Sequence, residues 1–551
     1  MLAILFLAAF LRLYKLNSVP PGPSLDEVSL GYNAYSILKT GADEYGTKFP
    51  LILRAYDDFR PAFYSYLVIP FVWVFGLTTV AVRLPSVILS VICVWLTYLL
   101  TLELFKNGKL ALPTGGLKIV NSHKIAYLSA ILLSVSPWHI YLSRLGHEVN
   151  LGLTLVAAGV YFFVKAIDTK SGKKWLSFSS VCFALSLNSY QSQKLIVPIL
   201  IVSIAIIFYR QLIARLRQLI LPVVLFSIIA IPILRVALSP EALIRFRGTS
   251  AFNYENNRLY QDGLTKLAIA TGNRDWREII YYNRRLVSLR IFLQNYFLHF
   301  SPQWLFTGGP MESHKVPNLG LLYWWELPFI IIGIISLMRS NLLRGYKLLL
   351  GVWLVSAPLP AAITTQAPHA MRSFTFLPVW QILGALGLVS CLRLLTLKMK
   401  KLAITVFSFL VTGSLVYFAY QYYFVFPKTQ SQSFQTALYR AMQDLPGQKD
   451  KFTGIIVSNR DNLYQSYMFY LFTNRLDPTK YQQLGGSVSG GWAQTHRIGK
   501  LEFRPIIWSE DKDLRQTLFI GNPAEFPPNV PVRSQYSYLD GKVGVIEITN
   551  N

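Results

Sequence analysis

The segment PGPSLDEVSLGYNAYSIL, residues 21–38, carries two adjacent carboxylates, Asp26 and Glu27. A second acidic pair, Asp57 and Asp58, stands just before Arg60 and Pro61 in AYDDFRPAFY, residues 55–64. A carboxylate placed against a hydroxyl can take its proton as the oxygen attacks an electrophile, which is general-base chemistry. A plainer reading stands beside it. Ser24 followed three residues later by Glu27 is a capping box, and acids in a first turn suit the helix dipole. That accounts for Glu27 and leaves Asp26 without a capping task. For the second pair the plain reading is a solvated loop turned by Pro61, with Asp58 and Arg60 as a weak surface pair.

The elements that must position these acids are mostly built for lipid. Of 551 residues 53% are hydrophobic, 14% aromatic and only 15% charged. A soluble chain of this size carries far more charge. The apolar residues fall in blocks of about 20, the length that crosses a hydrocarbon core. They run over 1–14, 84–105, 124–142, 148–167, 174–191, 193–209, 218–238, 321–338, 346–364, 373–395 and 402–425. The fold expected is mainly α, a polytopic bundle of about eleven spans.

The net charge of +26 does not point to nucleic acid. Five short connections, 106–124, 165–174, 210–217, 339–347 and 393–401, hold 18 Lys and Arg against one acid, Asp168. The positive-inside rule places all five in the cytoplasm. The N-terminus is then inside and the C-terminus outside, as in a multi-pass protein of the plasma membrane. Met1–Tyr14 spans only about 21 Å as a helix and has no small-residue cleavage site, so no signal peptide is expected. The three cysteines, Cys93, Cys182 and Cys391, all lie in apolar blocks, which excludes a disulfide framework.

Counting 62–76 as a span would invert every later basic loop. This short aromatic stretch reads instead as an interfacial helix. Residues 15–83 become a first external loop holding both acidic pairs, and Val28, Tyr32, Tyr35 and Leu38 predict a helix from about Leu25. Residues 239–320 form a second external loop, and 1–425 a transmembrane domain. The tail, 426–551, has no span-length run. FTGIIVS (452–458), TLFIG (517–521) and VGVIEIT (543–549) predict strands, and NLYQSYMFYLF (462–472) a helix, making a small extracytoplasmic α/β domain.

An Asp-Glu pair after the first block, Asp58-x-Arg60-Pro61 before an aromatic helix, and VRLPSVILS (82–90) resemble the GT-C superfamily of glycosyltransferases. The nearest likeness is to protein O-mannosyltransferases and the aminoarabinose transferases of lipid A. SPWHIYLSRLGHEVN (136–150), SYQSQKLIVP (189–198), FSPQWLFTGG (300–309), PNLGLLYWWELP (317–328) and PLPAAITTQAPHAMRSF (358–374) extend the resemblance over most of 1–425. Arg60 stands where those families have His or Lys, and Ala62 where a second Pro is common. The resemblance implies transfer of a sugar from a polyprenyl-phosphate donor to a hydroxyl of a protein, lipid or glycan at the outer face. It implies inversion, with Asp26 as base and Glu27 and Asp58 as the other acids.

Such a reaction releases a lipid phosphate, whose charge must be met by fixed cations. Arg60, Arg144, His147, Lys194, His369 and Arg372 are the substrate-binding candidates, with Arg372 first and Asp57 competing with Asp58 among the acids. Arginines at helix ends also snorkel to the interface for purely structural reasons. Arg245, Arg247, Arg274, Arg277, Arg284, Arg285 and Arg290 of the second loop are expected to meet anionic headgroups. No cofactor is demanded. A divalent metal held by Asp26, Glu27 or Asp58 with His299 or His314 is an open reading. Two rivals are a transporter of lipid-linked saccharides, which would place its ionisable residues at the midplane, and a non-catalytic lipid-binding relative. A third is a polymerase or ligase using a longer lipid-linked chain.

Overall fold

A computed structural model of the chain describes residues 1–56, 58–106, 109–111, 117–119, 121–169, 172–240, 248–255, 257–309, 312, 315–487 and 495–550. Asp57, Arg245, Arg247 and His314 lie outside the described residues.

Each apolar block is helical. Among the described residues six helices are long and apolar enough to cross a bilayer: Thr79–Phe105, Val149–Ile167, Leu216–Ala237, Arg344–Ala362, Phe374–Leu394 and Leu397–Gln430. Ser122–Val135 and Pro137–Ser143 make a seventh, bent by 55° at a proline that cannot donate to the helix ladder. Leu2–Leu13 and Gln193–Ile207 are apolar but shorter. The sequence predicts eleven crossings; by length and composition the helices supply six, or seven with the bent pair. Glu326–Arg339 and Val379–Leu394 approach through Gly333 and Gly387, where a Cβ on either would collide with a carbonyl of the other helix.

The chain forms two compact units. One comprises Met1–Leu11, Leu89–Leu142 and Val149–Phe418; the other comprises Arg12–Ile88, Ser143–Glu148 and Ala419–Asn551. The second unit joins most of the first external loop to the tail.

Within that second unit α1, Leu25–Thr40, starts at the N-cap Ser24 with both capping-box bonds to Glu27 present. It stops at Gly41, whose φ of 71° is the left-handed value a C-cap favours. Strands β1, Ile52–Ala55, and β2, Asp58–Pro61, form an antiparallel hairpin that pairs Leu53 with Arg60 and Ala55 with Asp58. Helix α2, Phe63–Phe75, is apolar and 13 residues long.

The tail begins with α3, Thr436–Asp444, and β3, Gly454–Val457. It continues through α4, Ser466–Thr473, then β4, His496–Ile498, and β5, Leu501–Phe503. It ends with β6, Thr517–Gly521, β7, Ser534–Ser537, and β8, Val543–Asn550. The six strands make one sheet in the order β4-β5-β3-β6-β8-β7. Strand β3 is parallel to both its neighbours. Ile456, Phe519, Ile546 and Ile548 fill the core on one face. All three predicted strands and the predicted helix are present.

Candidate active site

Glu27 and Arg83 build the floor of the acidic loop. The Arg83 Nε donates to Glu27 Oε1 at 2.6 Å and an Nη donates to Oε2 at 3.1 Å. Its remaining N–H groups donate to the carbonyls of Leu16, Pro20 and Gly22, so all five guanidinium donors are used. Glu27 also accepts from the backbone N–H of Ser24 and of Gly146. Burial alone pushes the Glu27 carboxyl up, but Arg83 and those N–H groups hold it below the usual carboxylate value. Both its oxygens are committed and it is buried, so Glu27 holds the loop together.

Asp26, one residue earlier, points the other way. Its side chain is 47% exposed, with Oδ1 accepting from Arg60 Nη1 at 3.0 Å. The hairpin carries Arg60 there, and Tyr56 Oη pins the hairpin to α1 by donating to the Leu25 carbonyl at 3.2 Å. Burial opposes the Arg60 charge; Asp26, Glu148 and Asp58 outweigh it and raise the Arg60 pKa. The other Asp26 oxygen lies 3.9 Å from His147 Nε2, and His147 Nδ1 lies 3.4 Å from Glu148 Oε2. Two carboxylates thus alternate with an arginine and a histidine. Tyr464, from the tail, is raised by burial first and then by the Asp26 charge. Asp58 accepts the N–H of Phe59 at 2.7 Å.

Arg144 lies apart from both the Asp26 cluster and the surface. It is buried, donating to the carbonyls of Arg12 at 2.8 Å and Val19 at 2.7 Å and to Tyr422 Oη at 3.2 Å. Its guanidinium also covers the rings of Tyr422 and Tyr423. A basic residue beside a span end read as a candidate cation for the phosphate; tertiary packing uses it to tie loops together.

In the first unit, Lys194 and Arg372 line one cavity of about 350 Å³, with Tyr190, Thr249, Thr364 and apolar walls from Leu195, Leu234 and Ile363. Arg372 is held by Thr364 Oγ1 and the Thr365 carbonyl, each at 2.7 Å. His369 belongs to a neighbouring network. Its backbone N–H donates to His299 Nε2 at 3.1 Å, and its Nδ1 is 3.9 Å from Glu312 Oε2. Glu312 accepts from Trp304 Nε1 at 2.7 Å and from the Ala370 N–H at 2.6 Å. Burial raises the Glu312 carboxyl, lowers Lys315 to about 8 and lowers His299 to about 4. His299 Nδ1 is 2.7 Å from the Asn295 carbonyl, so both ring nitrogens are engaged within the protein. Among the described residues no group of three or more His, Cys, Asp or Glu could hold a metal ion.

Residues 60–235 match the family model described as dolichyl-phosphate-mannose-protein mannosyltransferase. The crystal structure of ArnT from Cupriavidus metallidurans bound to undecaprenyl phosphate superposes with a TM-score of 0.56 at 11% identity. It covers 99% of this chain and 96% of that one. The chain has a GT-C fold like that of ArnT. The apo ArnT structure agrees at a TM-score of 0.54 and 11% identity, over 99% of this chain and 96% of that chain. The apo oligosaccharyltransferase of Archaeoglobus fulgidus gives 0.46 at 14% identity, over 86% and 63%. Comparison with curated protein sequences returned no match.

In this chain, a multi-pass membrane protein, Asp26, Arg60 and His147 come together as one cluster, and Lys194 and Arg372 as another. Glu148, Tyr464 and Glu312 were not anticipated. Glu148 had a local signal, since it follows His147 directly in LGHEVN. Tyr464 had none, because it stands more than 430 residues from Asp26 in the chain.

Proposed function

We propose that this GT-C protein moves a sugar, hexosyl or pentosyl, from a polyprenyl-phosphate donor to a hydroxyl acceptor on a protein, lipid or glycan. The observation that carries the reading is Asp26: a half-exposed carboxylate between a buried arginine and a histidine, at the start of a helix in the first loop. The acceptor oxygen attacks the anomeric carbon from the face opposite the phosphate and the centre inverts. The bond from that carbon to the phosphate oxygen breaks, and the polyprenyl phosphate leaves with the electron pair. The acceptor proton goes to Asp26. His147, backed by Glu148, receives it next and returns Asp26 to its charged form. Arg60 orients Asp26; Asp58 lends further negative charge beside Arg60.

Lys194 and Arg372 meet the lipid phosphate, and the apolar walls of their cavity suit a prenyl chain. That ArnT has been crystallised with undecaprenyl phosphate supports this assignment. The basic short loops support a plasma-membrane orientation with the N-terminus in the cytoplasm and residues 426–551 outside, where that domain would cover the acceptor side.

The test is transfer by purified protein in liposomes, using a panel of labelled polyprenyl-phosphate sugars and hydroxyl acceptors. Wild type should transfer at least one sugar, and Asp26→Asn should not. Donor crossing the bilayer without transfer would replace this reading with the transporter. Binding without either would replace it with the non-catalytic relative.

A further inference from the structure

We propose that residues 258–298 form a docking surface for anionic lipid headgroups, holding one wall of the Lys194–Arg372 cavity at the membrane surface. The proposal does not depend on which sugar is moved, or on transfer at all.

Three helices make this surface: Arg258–Gly272, Trp276–Tyr281 and Arg284–Leu298. Their shared core is small. Ala251, Tyr260, Val287 and Ile291 are buried together, and Arg284 Nε donates to Tyr260 Oη at 2.7 Å. Several large apolar side chains point out: Trp276 is 65% exposed, Ile280 57% and Phe297 64%. Such residues in water on a three-helix element would be a liability. At a bilayer interface they would be buried.

The depth of the element follows from its anchors. Asn295 Nδ2 donates to the Ala362 carbonyl at 3.1 Å and Tyr296 Oη to the Val355 carbonyl at 2.8 Å. The last turns of Arg284–Leu298 therefore lie along the final stretch of the span Arg344–Ala362. Val355 to Ala362 is about 10 Å of helix, the thickness of the headgroup and upper acyl region into which amphipathic helices settle.

Charge then selects the kind of lipid. Residues 258–298 hold seven Lys and Arg against three acids, and one of the acids, Asp275, is spent capping Trp276–Tyr281. Arg277 lies over the Trp276 ring at 5.4 Å and Arg290 over the Tyr281 ring at 3.9 Å. A ring in the acyl boundary with its guanidinium beside it presents cations at phosphate level. Near an anionic surface each such cation contributes a factor of about five in binding.

Ala251, packed in the element's core, ties it to the cavity. Ala251 N–H donates to the Ile363 carbonyl at 3.1 Å, and Thr365 N–H to the Thr249 carbonyl at 2.8 Å. Thr249, Ile363 and Thr364 are cavity walls, and Thr364 is the residue that holds Arg372. Where the helices rest on lipid thus sets where that wall stands.

The experiment places a nitroxide at Ile280→Cys in the full-length protein, with Cys182 and Cys391 replaced by Ala. Nanodiscs of phosphatidylcholine alone are compared with discs containing phosphatidylglycerol. In anionic discs the label should be open to oxygen and protected from a water-soluble nickel chelate. Protection should weaken in phosphatidylcholine, in high salt, and by about fivefold per arginine in Arg277→Gln and Arg285→Gln. Chelate access in both lipids would overturn the proposal. Equal protection in both, unaffected by the arginine variants, would overturn the assignment to anionic headgroups. Protection that appears only when a soluble protein is added would assign the surface to that partner instead.

Discussion

Arg60 Nη1 lies 3.0 Å from Asp26 Oδ1, with the guanidinium side chain almost wholly buried and the carboxylate side chain about half open. The two residues are 34 positions apart. A buried cation thus fixes one oxygen of an acid whose side chain is about half exposed. The neighbouring Glu27 has the opposite arrangement, and the difference between the two acids generates the first two predictions.

Replacing Asp26 with Asn should lower transfer by about 10²- to 10⁴-fold, the usual span for a positioned general base. The amide oxygen still accepts from Arg60, so the thermal unfolding midpoint should hardly move. His147→Gln should lower turnover while leaving donor binding intact. Turnover with labelled donor, alongside unfolding in detergent, separates the two effects; an active Asp26→Asn enzyme would remove Asp26 from the role.

Arg83→Met should behave in the reverse way. It strands a fully buried Glu27 and frees three carbonyls, a loss on the order of 3–5 kcal/mol. Adding Glu27→Gln should recover part of that loss, since the uncompensated charge is gone. A double-mutant cycle on unfolding midpoints measures the coupling, and additive losses would contradict the pairing.

Glu44 predicts a pH dependence of stability. It is fully buried, accepting from Ser487 Oγ at 2.7 Å, Asn33 Nδ2 at 3.1 Å and Tyr467 Oη at 3.3 Å. Burial raises its pKa from 4.5 to about 7 despite those bonds. The fold therefore favours the protonated acid. Its contribution is complete below about pH 4.5 and is lost as pH rises through about 7, a change of about 3 kcal/mol. Unfolding midpoints measured from pH 5 to 8 should fall, and Glu44→Gln, which cannot ionise, should flatten that slope.

Lys194 and Arg372 should share one ligand. Each change to Gln should weaken binding of undecaprenyl phosphate by about tenfold, the scale of a lost charge-assisted contact. The double variant should lose less than the product of the two. Fluorescence titration in nanodiscs would show this, and unchanged affinity in both variants would move the phosphate elsewhere.

What the chain's order of residues determined by itself was local. Ser24 and Glu27 stand three apart, so their capping box was legible from spacing alone, as were the helices of the apolar blocks and the strands at 454–457, 517–521 and 543–549. These features depend on neighbours within one or two turns, where residue type and period decide the outcome. The partners of the same acids were not legible. That Glu27 meets Arg83, that Arg144 is consumed by Arg12, Val19 and Tyr422, and that Lys194 and Arg372 line one cavity depend on contacts between segments dozens to hundreds of residues apart. A buried charge must find its counter-charge wherever the fold brings one, and no local period encodes that address. Two adjacent carboxylates of equal chemistry, Asp26 and Glu27, became an open acid and a buried strut only when the tertiary structure turned one outward and closed an arginine on the other.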